Sequence, residues 1–319
     1  MIEQWWLWVA FFALVLGILW IDIRFVGGGH SHKVSVKEAG IWTLVWVAVA
    51  MAFNAGLWFY FNHIGGAELA HQKTVEFFTG YLLEKALAVD NVFVWLMIFS
   101  FFAIPAELQR RVLLYGVLGA IILRSIMVFG GAYLINQFHW ILYVFGAFLV
   151  FTGVKMLLVK ESEGDLSTNP VLAFMRRRMK LTDELHGERF FVMKQGVRFA
   201  TPLFLVLVLV EISDVIFAVD SIPAIFAVTT DPFIVLTSNI FAIMGLRAMY
   251  FLLAGVAERF ALLKYGLAAI LVFIGTKMLI MEWYKIPTLI ALGVVASILV
   301  ISMVASWMLS KPEEKQNQA

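Results

Sequence analysis

The chain has no cysteine. Disulfides, thiol redox relays and thiolate metal sites are therefore excluded. Charge is also scarce: Asp, Glu, Lys and Arg make up 14% of the residues, while 62% are apolar. Soluble domains run at about 25% charged and about 45–50% apolar, so this is the composition of an integral membrane protein. The formal net charge of +2 is too near neutral to indicate a nucleic-acid partner. There is no phosphate loop of the G-x-x-x-x-G-K-[ST] type, so ATP is not expected as an energy source. Nothing in the sequence suggests enzyme chemistry or a resident cofactor. "MIEQWW" lacks a basic n-region and no small-residue cleavage site follows, so the first apolar run is expected to remain as a helix.

What is present is apolar sequence in span-length runs. A crossing takes roughly 20 mostly apolar residues. Nine runs qualify, near 5–23, 41–61, 78–101, 112–135, 139–158, 201–228, 233–256, 262–281 and 287–309. The expected fold class is an all-α polytopic membrane protein of about nine transmembrane helices, a single transmembrane domain over 1–319. Lys and Arg gather in alternate loops. Arg24, Lys33, Lys37, Arg110, Arg111, the basic residues of 159–199 (including Arg176, Arg177 and Arg178), Arg259, Lys264, Lys311 and Lys315 fall on one side. The other side has Lys73 and Lys285. The positive-inside rule then predicts the N-terminus outside and the C-terminus inside.

An internal repeat is visible. "VFTGVKMLL" at 150–158 matches "VFIGTKMLI" at 272–280, with six of nine residues identical. "AVDN" at 88–91 matches "AVDS" at 218–221, and Arg124 after Leu123 matches Arg247 after Leu246. The first repeat covers 78–158 and the second 200–281. Each holds three helices, so the second copy is expected to run through the membrane inverted, as in secondary transporters with midplane sites. Helices one, two and nine, in 1–77 and 282–319, are additions. The segment 159–199 is a cytoplasmic loop and a possible contact for a protein partner. In it "FMRRRMKLTDELHG" reads as a short basic helix at the inner leaflet, and "FFVMKQGVRF" as a hairpin around Gln195-Gly196.

Five acids lie within the spans: Glu84, Asp90, Glu211, Asp214 and Asp220. Five unpaired acids would cost roughly 12–17 kcal/mol on insertion scales, so they must pair, protonate or bind cations. Lys85, Lys155 and Lys277 lie near helix ends and are expected to snorkel. Arg124 and Arg247 are mid-helix and are expected to pair with acids of the facing repeat. Two such partners leave acids over. Glu211 and Asp214 share a helix face, whereas Glu211 and Asp220 point oppositely. Pro223 deprives the Val219 carbonyl of its helical partner, and a break there would turn Asp220 inward. Asp90 and Asn91 would approach from the matching segment. The ligands are all hard oxygen, which suits Mg²⁺, Ca²⁺ or Mn²⁺ rather than zinc or copper. No histidine lies deep in a span. Glu84, near the outer end of its helix, is the weakest ligand candidate. Asn239 reads better as an interhelical hydrogen bond, and "GGGHSH" at 27–32 as a glycine-rich turn. The competing structural reading is a buried ion-pair network that only fixes helix packing.

"GYLLEKALAVDNVFVW", "LVEISDVIFAVDSIPAIFAVTTDPFIVLTSNIFAIMGLRAMYFLLAG" and "KYGLAAILVFIGTKMLI" closely resemble the TerC family of integral membrane proteins, and the length and basic loop are most similar to its Alx-like branch. The resemblance covers nearly the whole chain. It implies a multi-pass protein of a bacterial inner membrane, related to LysE-type exporters, in a family linked to manganese efflux, tellurium resistance, alkaline-pH response and redox modulation. By motif, the family's acidic positions fall on Glu84, Asp90, Glu211, Asp214 and Asp220. Export of a divalent cation, with Mn²⁺ as the transported ion and H⁺ as a conceivable counter-ion, fits both the residues and the resemblance. The alternatives are a scaffold delivering metal to exported proteins, a redox modulator without thiols of its own, and tellurite handling, which surplus carboxylates would oppose by repelling the anion.

Overall fold

A computed structural model of the chain describes residues 5–21, 35–158, 170–182, 184–254 and 263–309. These form α1 (Trp5–Ile21), α2 (Val36–Phe101), α3 (Ala106–Gln137), α4 (Ile141–Leu158), α5 (Pro170–Arg178), β1 (Phe191–Lys194), β2 (Val197–Ala200), α6 (Pro202–Phe226), α7 (Pro232–Met244), α8 (Leu246–Ala254), α9 (Leu263–Leu279) and α10 (Thr288–Leu309). Among the described residues, five helices are long and apolar enough to cross a membrane, or six if α7 and α8 count as one bent span; α1 is a shorter apolar helix. The "GGGHSH" tract lies outside the described residues.

α2 runs from Val36 to Phe101 across a non-helical residue, Gly66, with φ 82° and ψ 177°. A straight helix would separate Phe53 from Phe77 by about 36 Å at 1.5 Å per residue. Their ring centroids are 5.5 Å apart. The helix therefore doubles back at Gly66, where a positive φ favours glycine. The two arms correspond to the expected runs 41–61 and 78–101. The stretch expected to connect them, 62–77, is helical on both sides of the turn. Phe241 of α7 packs on both arms, 4.6 Å from Phe53 and 6.2 Å from Phe77, and Phe11 of α1 joins the cluster.

The core is arranged for lipid. On α3, Ile122, Ile126, Phe129 and Tyr133 form an exposed stripe, while Gly116, Ala120 and Arg124 are buried. A polar group on the inner face and apolar groups outside is the reverse of a soluble helix, and it is what a hydrocarbon solvent selects. α4 and α9 meet along a seam of small residues. A Cβ on Gly153 would fall 2.8 Å from the Ala268 carbonyl oxygen, and one on Gly275 would fall 2.6 Å from the Gly146 carbonyl oxygen. Gly153 and Gly275 occupy matching places in the two nine-residue segments, and Gly146 and Ala268 each lie two turns earlier. The contact is thus reciprocal.

α6 continues through Pro223 to Phe226, and no break is seen at Val219. The expected break there is not observed, because Pro223 lies close enough to the helix end for the chain to stop one turn later. The bend comes at Gly245 instead, between α7 and α8, at 41°. A Cβ at Gly245 would lie 2.5 Å from Lys85 Nζ and 3.2 Å from Trp46 Cβ.

In the stretch 159–199, the helix is displaced toward the N-terminus of its expected place: α5 ends at Arg178, and Leu172 and Met175 pack on Leu205 of α6. The hairpin is present, with Phe191 opposite Ala200 and Lys194 opposite Val197. Gln195 (φ 51°) and Gly196 (φ 76°) are both left-handed, as a two-residue type I′ turn requires. Phe191 ties the hairpin to α6 through Phe204, at 4.5 Å between ring centroids.

Candidate functional site

The site begins with one arginine. Arg124 is 0% exposed. It reaches from α3 between the second arm of α2 and α6. Its Nε donates to Asp214 Oδ2 at 3.1 Å and its Nη2 to Asp214 Oδ1 at 2.6 Å, a bidentate pair. Its Nη1 donates to Glu84 Oε1, and also to Ser221 Oγ and Asn239 Oδ1, both at 3.3 Å. Asn239 Nδ2 in turn donates to Glu84 Oε2 at 3.2 Å. Asn91 Nδ2 donates to Asp214 Oδ1 at 3.4 Å. Beside it, Trp95 Nε1 donates to Ser213 Oγ at 3.2 Å. Helical spacing explains the assembly: Glu84, Asn91 and Trp95 fall on one face of α2, and Asp214 and Ser221 on one face of α6. The network joins residues of both repeat segments.

Glu84 and Asp214 are each 1% exposed. Two buried carboxylates thus share one guanidinium. Glu211 stands one turn before Asp214. Its carboxylate fills a notch at Gly119 of α3, where any Cβ would collide with it. Glu211 Oε2 and Asn91 Oδ1 are buried with no hydrogen-bond partner among the described residues. The site therefore holds a surplus of oxygen acceptors.

Several expected positions differ. Glu84, expected at the margin, is central, because the doubled-back α2 presents it to Arg124. Asp220 lies outside the network: Thr152 Oγ1 of α4 donates to its Oδ1 at 3.3 Å. With α6 unbroken, Asp220 stays on the face away from Glu211. The side chain of Asp90 lies outside the described residues. Among the described residues no three His, Asp or Glu side chains converge as a metal cage. Arg247 is partnered. It sits just beyond the Gly245 bend, in a pocket with Arg110 and Glu38. Lys85 does not snorkel: its Nζ is buried without a hydrogen-bond partner among the described residues, 5.8 Å from the Tyr81 ring centroid. Lys277 Nζ donates to the Ala227 carbonyl at the end of α6, at 3.2 Å. Asn239 does make the interhelical bond expected of it.

The sequence reading missed a second polar group, between the Gly66 turn and the start of α7. Lys73 Nζ lies 3.0 Å from both Glu76 Oε2 and Asp231 Oδ2. Thr229 Oγ1 donates to Glu76 Oε2 at 2.8 Å. These residues and Lys277 line a cavity of about 620 Å³. "TTDP" at 229–232 was the available signal, since Asp231 caps α7 by accepting from Phe233 N at 3.1 Å.

A family model described as "Integral membrane protein TerC family" matches residues 69–314. A protein of Escherichia coli (strain K12) is 58% identical over 310 residues, 97% of each chain, and carries the name "Putative membrane-bound redox modulator Alx". A protein of Photorhabdus laumondii with the same name is 58% identical over 312 residues, 98% of each chain. "Uncharacterized membrane protein STKORF319" of Myxococcus xanthus is 48% identical over 305 residues, 96% of this chain and 93% of that one. No solved structure matches the chain. With most of its length covered by the family model and nearly all of it by these relatives, the chain belongs to the TerC family of integral membrane proteins.

Proposed function

We propose that the chain is a secondary transporter exporting a divalent cation, Mn²⁺ in the first instance, across a bacterial inner membrane. The observation that carries this reading is the charge balance of the buried network. Glu84 and Asp214 face a single arginine, and Glu211 Oε2 and Asn91 Oδ1 add acceptors without donors. Acids at that depth are costly and mark ion pathways. All the available ligands are oxygens, the set preferred by Mn²⁺, Mg²⁺ and Ca²⁺. Arg124 occupies the place of a cation between the two carboxylates. A cargo ion entering from one side would compete with it for Asp214, and Arg124 would reclaim Asp214 on release. No bond of a substrate is made or broken in this scheme, which is transport and not catalysis.

Nine crossings, the N-terminus outside and an inverted three-plus-three repeat are part of the same proposal. The doubled-back α2, the bent α7–α8 pair and the reciprocal α4–α9 seam support it, since a two-fold relation makes each contact recur with partners exchanged. A proton released from a carboxylate when metal binds would supply antiport.

The name borne by the relatives favours a second reading, redox modulation. With no cysteine the chain has no thiol to exchange, so electrons would have to pass through a bound group or a partner protein. Cellular metal content separates the two. Deleting the gene should raise manganese under manganese load, and overexpression should lower it. Unchanged manganese in both strains, with an altered redox poise, would favour the second reading.

A further inference from the structure

A second charged site lies where the starts of α2 and α3 meet α8, apart from the Arg124 network. Arg110 of α3 is 9% exposed, and its Nη2 is buried without a hydrogen-bond partner among the described residues. Among the described residues no carboxylate forms an ion pair with it. A guanidinium cannot shed its proton to escape this cost. Glu38 lines the same pocket but forms no ion pair with Arg110, and a buried guanidinium nitrogen left without an acceptor calls for an anion. Arg247, itself partnered, forms the opposite wall with Trp46. The pocket between them is small, about 20 Å³, room for about one water-sized group. An anion can insert one oxygen there while the rest of it stays outside.

What lies outside is a groove. A cavity of about 400 Å³, lined by Ile41, Trp42 and Val45 with Lys37 at its rim, runs along the start of α2. The two spaces share Glu38 and Trp42 in their common wall. Glu38 is also partnered, and among the described lining residues it stands as one carboxylate to three cations, Lys37, Arg110 and Arg247. A positive pocket that opens directly into an apolar groove, with tryptophans at the junction, fits a molecule with an anionic head and a hydrocarbon tail.

We propose that this two-part pocket binds an acidic phospholipid. Arg110 donates to a phosphate oxygen, Lys37 steers the headgroup, and an acyl chain follows the Ile41–Val45 groove. The leaflet follows from the orientation proposed above and would be the cytoplasmic one. The pocket itself is independent of what the protein transports.

The test uses full-length protein purified in a non-ionic detergent, with lipid retention read by native mass spectrometry and stability by thermal unfolding. Dioleoyl phosphatidylglycerol should bind roughly tenfold tighter than dioleoyl phosphatidylcholine, on the scale of one charge-assisted hydrogen bond. Arg110→Gln should remove that preference and Arg110→Lys should keep most of it. Ile41→Gln, at an exposed position, should weaken binding several-fold through the groove. Lys194→Gln, in the distant hairpin, should change nothing. Millimolar inorganic phosphate should not stabilise the protein. Equal phosphatidylglycerol binding by the wild type and Arg110→Gln would overturn the proposal, as would an equal loss in Lys194→Gln. Stabilisation by inorganic phosphate matching that by the lipid would replace the lipid with a soluble anion.

Discussion

At the scale of single residues, the centre of the molecule is the sharing of Arg124. Its three guanidinium nitrogens serve Glu84, Asp214, Ser221 and Asn239. Arg124→Ala would strand two buried carboxylates, and breaking a buried pair in this way costs about 3–5 kcal/mol. Membrane levels and thermal stability in detergent should fall markedly, and Arg124→Lys should rescue little, because a point charge cannot reproduce the bidentate fork. Normal levels of Arg124→Ala would show that the network does not hold the fold. Asp214→Asn and Asp220→Asn make a matched pair on one helix. Asp214 carries the arginine, whereas Asp220 accepts a hydrogen bond from Thr152 of α4. Metal transport should fall much further in Asp214→Asn than in Asp220→Asn. The reverse order would move the cargo site to the α4–α6 boundary.

At the scale of elements, glycine decides where helices turn, bend and touch. Gly66 reverses α2, Gly245 bends α7 into α8, and Gly146, Gly153 and Gly275 bring the backbones of α4 and α9 together. Gly275→Leu would drive a side chain into the Gly146 carbonyl and Val150. It should destabilise the protein by more than Gly293→Leu on α10, where a Cβ meets nothing within 4 Å. Equal melting temperatures for the two variants would contradict the seam. These positions mark where the sequence was hard to read. Apolar runs located the helices because hydrocarbon solvent imposes composition over a whole span. A single glycine dihedral leaves no such trace, so the turn at Gly66 lay within an expected connection. Pro223 drew attention as a helix breaker, yet α6 simply ends one turn past it. The Gln195-Gly196 hairpin was legible, because an I′ turn demands left-handed residues and the flanking alternation announced the strands.

At the scale of the whole molecule, the acids were legible and their partners were not. Glu84, Asp214 and Arg124 stand out in apolar sequence, but which acid meets the arginine depends on how three helices cross. Arg247, the sequence counterpart of Arg124, shares a pocket with Arg110. Orientation is directly testable, because the cysteine-free chain needs no background substitutions before thiol labelling. His63→Cys, beside the Gly66 turn, should react with an impermeant maleimide added to intact cells. Lys194→Cys, in the hairpin, should react only after the membrane is opened. The opposite pattern would invert the topology.

The most direct test of the central claim is Mn²⁺ movement by purified protein in proteoliposomes that contain a manganese-sensitive fluorophore. Wild-type vesicles with an imposed pH gradient should move Mn²⁺ well above protein-free vesicles, and Asp214→Asn vesicles with equal protein content should fall to near that background. Wild-type flux no greater than that of empty vesicles, under either direction of the gradient, or full flux through Asp214→Asn, would contradict the account.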